Sequence, residues 1–198
     1  MCIFAYYTRL NRFMKHSILI LAHNNIRLLL QMINCFDSDF YIYIHLDKKC
    51  HVSCAEIEAL FTKKNIVYFS KKYNINWGGH NLLKAELYLL RKAIQDGDYY
   101  HFISGQDFPI VSLSEFKLFF KRNVGCIFLE YAVLPMREWD STSNRFDLFW
   151  PYDLFDARAA RAAKILSRII ALQRKWNLCR KMPISFNALY GGSAWFSY

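Results

Sequence analysis

The segment His101-Phe102-Ile103-Ser104-Gly105-Gln106-Asp107-Phe108-Pro109-Ile110 offers one carboxylate just after a β-forming run, Tyr99 to Ile103, and just ahead of a proline. In an open α/β sheet the loop after a strand's carboxyl end is where ligands bind. Asp107 is therefore a candidate ligand-binding carboxylate. Its plainer reading is a cap or turn residue of that loop. Magnesium and manganese take several oxygen ligands, and Gly105-Gln106-Asp107 supplies a single acid, so no divalent metal is expected as a cofactor.

Four other polar clusters stand in order around this loop. They are Ala22-His23-Asn24-Asn25, His45-Leu46-Asp47-Lys48-Lys49, Trp77-Gly78-Gly79-His80 and Gly191-Gly192-Ser193-Ala194-Trp195-Phe196. A carboxylate at Asp47 can accept hydrogen bonds from ribose hydroxyls, and Lys48 or Lys49 can attract a diphosphate. Gly78 and Gly79 permit positive φ or close backbone approach. Beside a helix start they would also expose amides to an anion. The competing readings are a satisfied polar residue for His23, ordinary surface charge for the lysines and a simple turn for the glycines.

The elements that would position these residues are legible from periodicity. Ser17 to Ala22 and Phe40 to Leu46 are apolar runs of the kind buried parallel strands show. Ile66 to Phe69, Tyr99 to Ile103 and Cys126 to Glu130 are further strands. Between them fall helices with caps at Asn24 or Asn25, at Ser53, and at Ser112 or Ser114. A helix from Asn81 to Ile94 is expected to bury Leu83, Leu87, Leu90 and Ile94. Another opens at Asp153 or Asp156 and runs toward Asn177. Its basic face carries Arg158, Arg161, Lys164 and Arg168, and its packed side Ala162, Ile165, Ile169, Leu172 and Trp176. Residues 132–153 read as irregular, and Ser193 to Tyr198 as a last strand. Strands alternating with helices predict an α/β, Rossmann-like, mostly parallel sheet.

Composition narrows the class. At 198 residues with 54% hydrophobic content the chain is long enough for a sizeable core. Its formal charge of +10 favours anionic partners. No long basic tract or zinc-finger spacing accompanies it, so nucleic acid is not an expected partner. The basic helix reads either as a solvated face or as a peripheral contact with an anionic membrane. Six irregularly spaced cysteines and no cleavable leader predict a reduced, cytoplasmic setting, peripheral at the inner face of the membrane if the helix makes that contact. Cys50-His51-x-x-Cys54 has no matching partner pair for zinc. Residues 1–16 are expected as an N-terminal extension, poorly packed over residues 1–13, ahead of a domain spanning 17–198.

The motifs SILILAHNN, YIHLDKK, WGGHNLLKAEL, SGQDFPI and GGSAWF, in this order, resemble the Core-2/I-branching glycosyltransferase family, which includes the peptide O-xylosyltransferases. The resemblance implies a GT-A-like fold, a UDP-sugar donor (UDP-GlcNAc or UDP-xylose), a glycan acceptor, and inversion at the anomeric carbon without a metal. It also implies positions. His23 borders the uridine, and Trp77 packs on the base beside Gly78. Asp47, Lys49 and Asp107 belong to the donor side, and Gly192, Ser193 and Trp195 line the donor sugar. Glu130 and Arg145 fall at acceptor-binding positions, with Arg137, Glu138 and Trp139 as neighbours of the latter. Animal members are membrane-anchored and disulfide-bridged, and this chain looks more like bacterial relatives acting on cell-surface polysaccharides.

An inverting transfer needs a general base, positive charge on the departing diphosphate and an acceptor held in line. By the resemblance the base and the diphosphate cations follow Tyr198. The catalytic residues are thus unknown, and the expectation is an N-terminal part of a transferase domain with little activity of its own. The alternatives are a non-catalytic nucleotide-sugar or glycan-binding remnant and a basic peripheral membrane protein.

Overall fold

The structure, a computed structural model, describes residues 14–134, 146–181 and 188–198. Their contacts group them into two compact units. One holds the described residues up to Lys72, Ala85–Phe128 and Trp195–Tyr198; the other holds Tyr73–Lys84 and the described part of Leu129–Ala194.

The first unit is built on four parallel strands, β1 (His16–Ala22), β2 (Phe40–Leu46), β3 (Ile66–Ser70) and β4 (Tyr99–Ser104), in the order β3-β2-β1-β4. β1 is buried along its whole length, which is why its sequence is apolar on both alternating faces. It begins at His16, one residue inside the stretch read as an extension. On one face Ile18, Ile20, Ile42 and Ile44 pack with Leu29, Met32 and Ile33 of α1 (Ile26–Ile33) and Leu60 of α2 (Cys54–Phe61). Leu113 and Phe116 of α4 (Leu113–Arg122) join the same cluster.

The helix starts follow from local chemistry. Asn25 takes a left-handed φ of 52° and accepts the Leu28 N–H. Ser53 with Glu56, and Ser112 with Glu115, form reciprocal capping boxes. The β4 edge is closed by the chain's last residues. Tyr100 N–H donates to Tyr198 O at 2.8 Å, and Phe102 N–H to Phe196 O at 2.9 Å. Ser193 to Tyr198 is therefore not one strand: pairing with β4 resumes only at Phe196.

α3 (His80–Ala93) buries Ala85, Glu86, Leu89 and Ala93, whereas Leu83, Leu87 and Ile94 are 44–59% exposed. The expected leucine stripe is on the wrong side. Small alanines let the helix approach its support closely, and the larger residues are left outward.

In the second unit β5 (Tyr131–Leu134) pairs antiparallel with β6 (Leu189–Gly192). The expected strand over Cys126–Glu130 is displaced: only Phe128 bridges there, to Ser197 in the first unit's own residues. α5 (Ala160–Lys175) has no side-chain cap at Ala159 and buries Leu166, Ile170 and Gln173. Ile165, Leu172 and Trp176, expected inside, are exposed.

Candidate functional site

The chain moves outward from β1 to β3 and then returns to the other side of β1 for β4. Loops leaving β1 and β4 therefore diverge, and the carboxyl ends of these two strands form the sheet's switch point, where open α/β sheets bind ligands. His23 and Asn24 leave β1 there, and Gly105 to Asp107 leave β4. Backbone bonds hold the edge in register: Asp47 N–H donates to Ala22 O at 2.7 Å, and Gly105 N–H to Leu21 O at 2.9 Å. Gln106 Nε2 donates to Asn24 Oδ1 at 3.2 Å, tying the two diverging loops together. A Cβ on Gly105 would stand 2.7 Å from the Ala22 Cβ, so this position requires glycine for close approach.

Four residues singled out from the sequence share this edge: His23, Asp47, Lys49 and Asp107. His23 and Lys49 are exposed. Asp47 is only 4% exposed. Its Oδ1 accepts the Lys49 N–H at 3.0 Å, and the Lys49 ammonium lies 3.7 Å from its other oxygen. Lys71, which the sequence reading passed over, donates to Cys50 O at 2.7 Å and adds a cation to the loop after β2. Asp107 Oδ2 accepts the Ser104 N–H at 2.6 Å, so half of this carboxylate is committed to shaping its own loop. Cys50 and Cys54 are free thiols. Among the described residues no three His, Cys, Asp or Glu side chains converge as a metal-ligand set.

The remaining positions belong to the second unit. Trp77 is 58% exposed, with the Arg158 guanidinium 5.9 Å from its ring centroid. Gly78 has a φ of +73°, and a Cβ there would meet the Tyr152 ring at 3.5 Å. A Cβ on Gly79 would lie 2.4 Å from Asp153 Oδ1. That carboxylate accepts the Asn81 N–H at 2.9 Å. The anion at the α3 N-terminus is thus the chain's own Asp153, which caps α3 and not the helix that follows it. Glu130 and Gly192 are neighbours, because a Cβ on Gly192 would fall 2.1 Å from Glu130 O. Glu130 precedes β5 instead of ending a strand, and Ser193 follows β6. Arg145 lies outside the described residues, as do residues 1–13, Arg137, Glu138 and Trp139.

Two features escaped the sequence reading. Glu86 is buried on α3, its Oε1 has no hydrogen-bond partner among the described residues, and burial pushes its carboxyl up to about 7. Once Ala85, Leu89 and Ala93 are seen as the packed face, Glu86 falls on its border. In the second unit Trp150 and Tyr152 stack with ring centroids 5.3 Å apart. With Ser167, Ile170 and Arg174 they line a cavity of 380 Å³.

A parallel sheet with helices on its faces and polar residues gathered at the β1/β4 switch point defines a GT-A-like α/β protein. The family model described as "Core-2/I-Branching enzyme" matches residues 18–130, and the chain belongs to that glycosyltransferase family. Over 95 residues, 45% of this chain, it is 32% identical to "Xylosyltransferase sqv-6" of Caenorhabditis briggsae. Its identity to the protein of the same name in Caenorhabditis elegans is 30% over 95 residues. The matched stretch covers 12% of the length of each of these relatives.

Proposed function

We propose that this chain binds a UDP-sugar, UDP-GlcNAc or UDP-xylose, at the carboxyl edge of β1, β2 and β4, as part of an inverting transfer to a glycan acceptor in cell-surface polysaccharide synthesis. The observation that carries this reading is the coincidence of the sheet's switch point with His23, Asp47, Lys49 and Asp107 inside the family-matched residues. Asp47 is the acceptor of ribose hydroxyl hydrogen bonds, because it is held rigidly at a strand end. Lys49 and its neighbours Lys48 and Lys71 supply positive charge for the diphosphate. By the family resemblance Trp77, Gly78, Gly192 and Ser193 are further donor residues, and Glu130 and Arg145 acceptor residues. The Trp150–Tyr152 pair supports a sugar-binding role for the second unit, since flat aromatic faces with polar tips suit a sugar ring. Free thiols at Cys35, Cys50, Cys54, Cys126 and Cys179 support a cytoplasmic setting.

Donor binding on this reading needs no divalent metal. The β4 loop offers one carboxylate, and one of its oxygens is already held by the Ser104 amide.

Titration calorimetry of the whole chain with UDP tests the reading. Binding that survives a chelator and weakens in Lys49→Ala supports it. Absence of UDP binding, or binding that Lys49→Ala and Asp47→Asn both leave unchanged, overturns it. UDP binding without donor hydrolysis or transfer favours the non-catalytic nucleotide-sugar-binding alternative over the enzyme.

A further inference from the structure

Helix α5 leaves a row of apolar side chains uncovered and borders it with cations. Ile165, Leu172 and Trp176 are 40%, 44% and 63% exposed, and Ile169 between them is half-buried. Their spacing of three, four and seven residues sets them in one line along the helix. The side turned inward is a different one, Leu166, Ile170 and Gln173. On the other flank of the apolar row stand Arg161, Lys164, Arg168 and Lys175, all exposed. None of the ion pairs among the described residues involves them. From Ala157 to Tyr198 the sequence carries eight Lys or Arg and no Asp or Glu.

A helix that is merely solvated has no use for an apolar row beside its cations. An acidic protein partner would be met by the charge, but it would not require the row to run unbroken beside the cations and end in a tryptophan. A bilayer surface requires both. Cations meet lipid phosphates, apolar residues enter the boundary between headgroups and acyl chains, and tryptophan prefers that boundary. The helix has 16 residues, and no helix among the described residues is long and apolar enough to cross a membrane. The geometry is that of a helix lying in the interface.

We propose that α5 docks this chain on an anionic lipid bilayer, with Ile165, Leu172 and Trp176 entering the interface and Arg161, Lys164, Arg168 and Lys175 meeting lipid phosphates. This goes beyond the donor reading and does not depend on it: loss of UDP binding would leave it standing.

The test is co-sedimentation of the full chain with phosphatidylcholine vesicles, with and without about one-third phosphatidylglycerol, at about 0.1 M salt. The chain is expected on the anionic vesicles and not on the neutral ones. Replacing Arg161, Lys164 and Arg168 by Gln should weaken binding by about a hundredfold, since each basic residue near an anionic surface contributes about fivefold. Because the chain has five tryptophans, insertion is read as the blue shift lost in Trp176→Phe. Failure to bind anionic vesicles overturns the proposal. So does binding in which Trp176 stays open to an aqueous quencher, or equal affinity for DNA at the same salt. A stable dimer that Trp176→Ser dissolves would assign the row to a second copy of the chain instead. Should the triple variant unfold by circular dichroism, Lys164→Gln alone, at an exposed position, must still lower vesicle affinity by about fivefold.

Discussion

Asp153 Oδ1 accepts the backbone N–H of Asn81 at 2.9 Å, across 72 residues of chain. The same oxygen would lie 2.4 Å from a Cβ on Gly79. The start of α3 is therefore assembled from two distant segments, and the glycine exists to let the carboxylate in. Asn76 fastens the arrangement by donating to Tyr152 O at 2.7 Å. An exposed pair of glycine amides at this helix start would have been an anion site for a ligand; the protein has filled it itself.

Asp153→Ala should accordingly destabilise the chain by about 1 kcal/mol, the usual worth of a helix N-cap. Asp153→Asn retains an acceptor oxygen and should lose less. Gly79→Ala should cost at least as much as Asp153→Ala, because the carboxylate must move away from Asn81. Urea unfolding of the three variants reads the order directly. A Gly79→Ala variant as stable as the parent would show that the carboxylate does not sit where this geometry puts it.

Three histidines of the first unit are buried, His16, His45 and His101, and make stability depend on pH; burial pushes His45 down to about 4, and the other two pack together. His16 Nδ1 and His101 Nε2 are 3.0 Å apart, and His101 Nδ1 is 2.8 Å from Ser197 Oγ. Burial, reinforced by Lys117, pushes His16 down to about 4, and burial, reinforced by His16, pushes His101 down to about 3. Both folded values lie below the ordinary value of 6.5. The unfolded chain thus takes up protons first, and stability falls as pH drops. The contribution is whole above the ordinary value and is lost as pH falls toward the folded ones. Each histidine should add a slope of about 1.4 kcal/mol per pH unit in that window. Urea midpoints measured between pH 7 and 4 should show it, and His101→Phe should flatten the curve. An unchanged slope in that variant would place the acid sensitivity elsewhere.

How far the sequence carries the structure depends on the range over which each determinant acts. β1 and β2 announce themselves because parallel strands buried on both faces carry apolar residues on both, interrupted here by His16, Ser17 and His45. The Ser53–Glu56 and Ser112–Glu115 boxes are complete within four residues, so both helix starts are legible. The faces of α3 and α5 are not. Each helix carries more apolar residues than it buries, and the tertiary partner decides which row goes inside. For α3 that row is Ala85, Leu89 and Ala93, which no ranking by hydrophobicity would choose over Leu83 and Leu87. The β5–β6 pair fails for a similar reason. Four-residue strands carry almost no periodic signal, and their register, Tyr131 opposite Gly192, is set by the close approach of Gly192 to Glu130 O. At the sheet edge, the strand-end positions of His23, Asp47 and Asp107 are legible because topology fixes where strand ends go. Lys71 and Asp153 act through contacts made far along the chain and leave no local mark.

Glu86 carries the opposite pH signature. Burial raises its carboxyl to about 7 from an ordinary value of 4.5. A raised folded value means that the folded chain holds the proton longer. The contribution is whole below 4.5 and lost as pH rises through about 7. Above pH 7 the ionised carboxylate is buried with Oε1 unpartnered among the described residues, which should cost about 2 kcal/mol once solvent screening has reduced the full effect of the shift. Glu86→Gln keeps the shape and cannot ionise, so it should be more stable than the parent at pH 8 and equal to it at pH 4. Thermal midpoints at the two pH values decide the matter, and a variant less stable than the parent at pH 8 would mean that the carboxylate has a cationic or donor partner.

Asp47 is the residue on which the donor reading bears hardest, and two roles for it make different predictions. It shapes the loop after β2 by accepting the Lys49 N–H. It is also proposed to accept hydrogen bonds from the nucleotide's ribose. Either role makes Asp47→Asn weaken UDP binding, by about tenfold for one hydrogen bond to a charged group. Removing the ribose hydroxyls from the ligand separates the two. If Asp47 touches ribose, dideoxy-UDP should bind the parent about tenfold more weakly than UDP, but should lose little more in Asp47→Asn, because the two changes delete the same contact. If Asp47 acts only through the loop, the two losses multiply. Calorimetry on the four combinations measures the coupling, and fully multiplicative losses would remove Asp47 from the ribose while leaving it as the residue that sets Lys49 at the sheet edge.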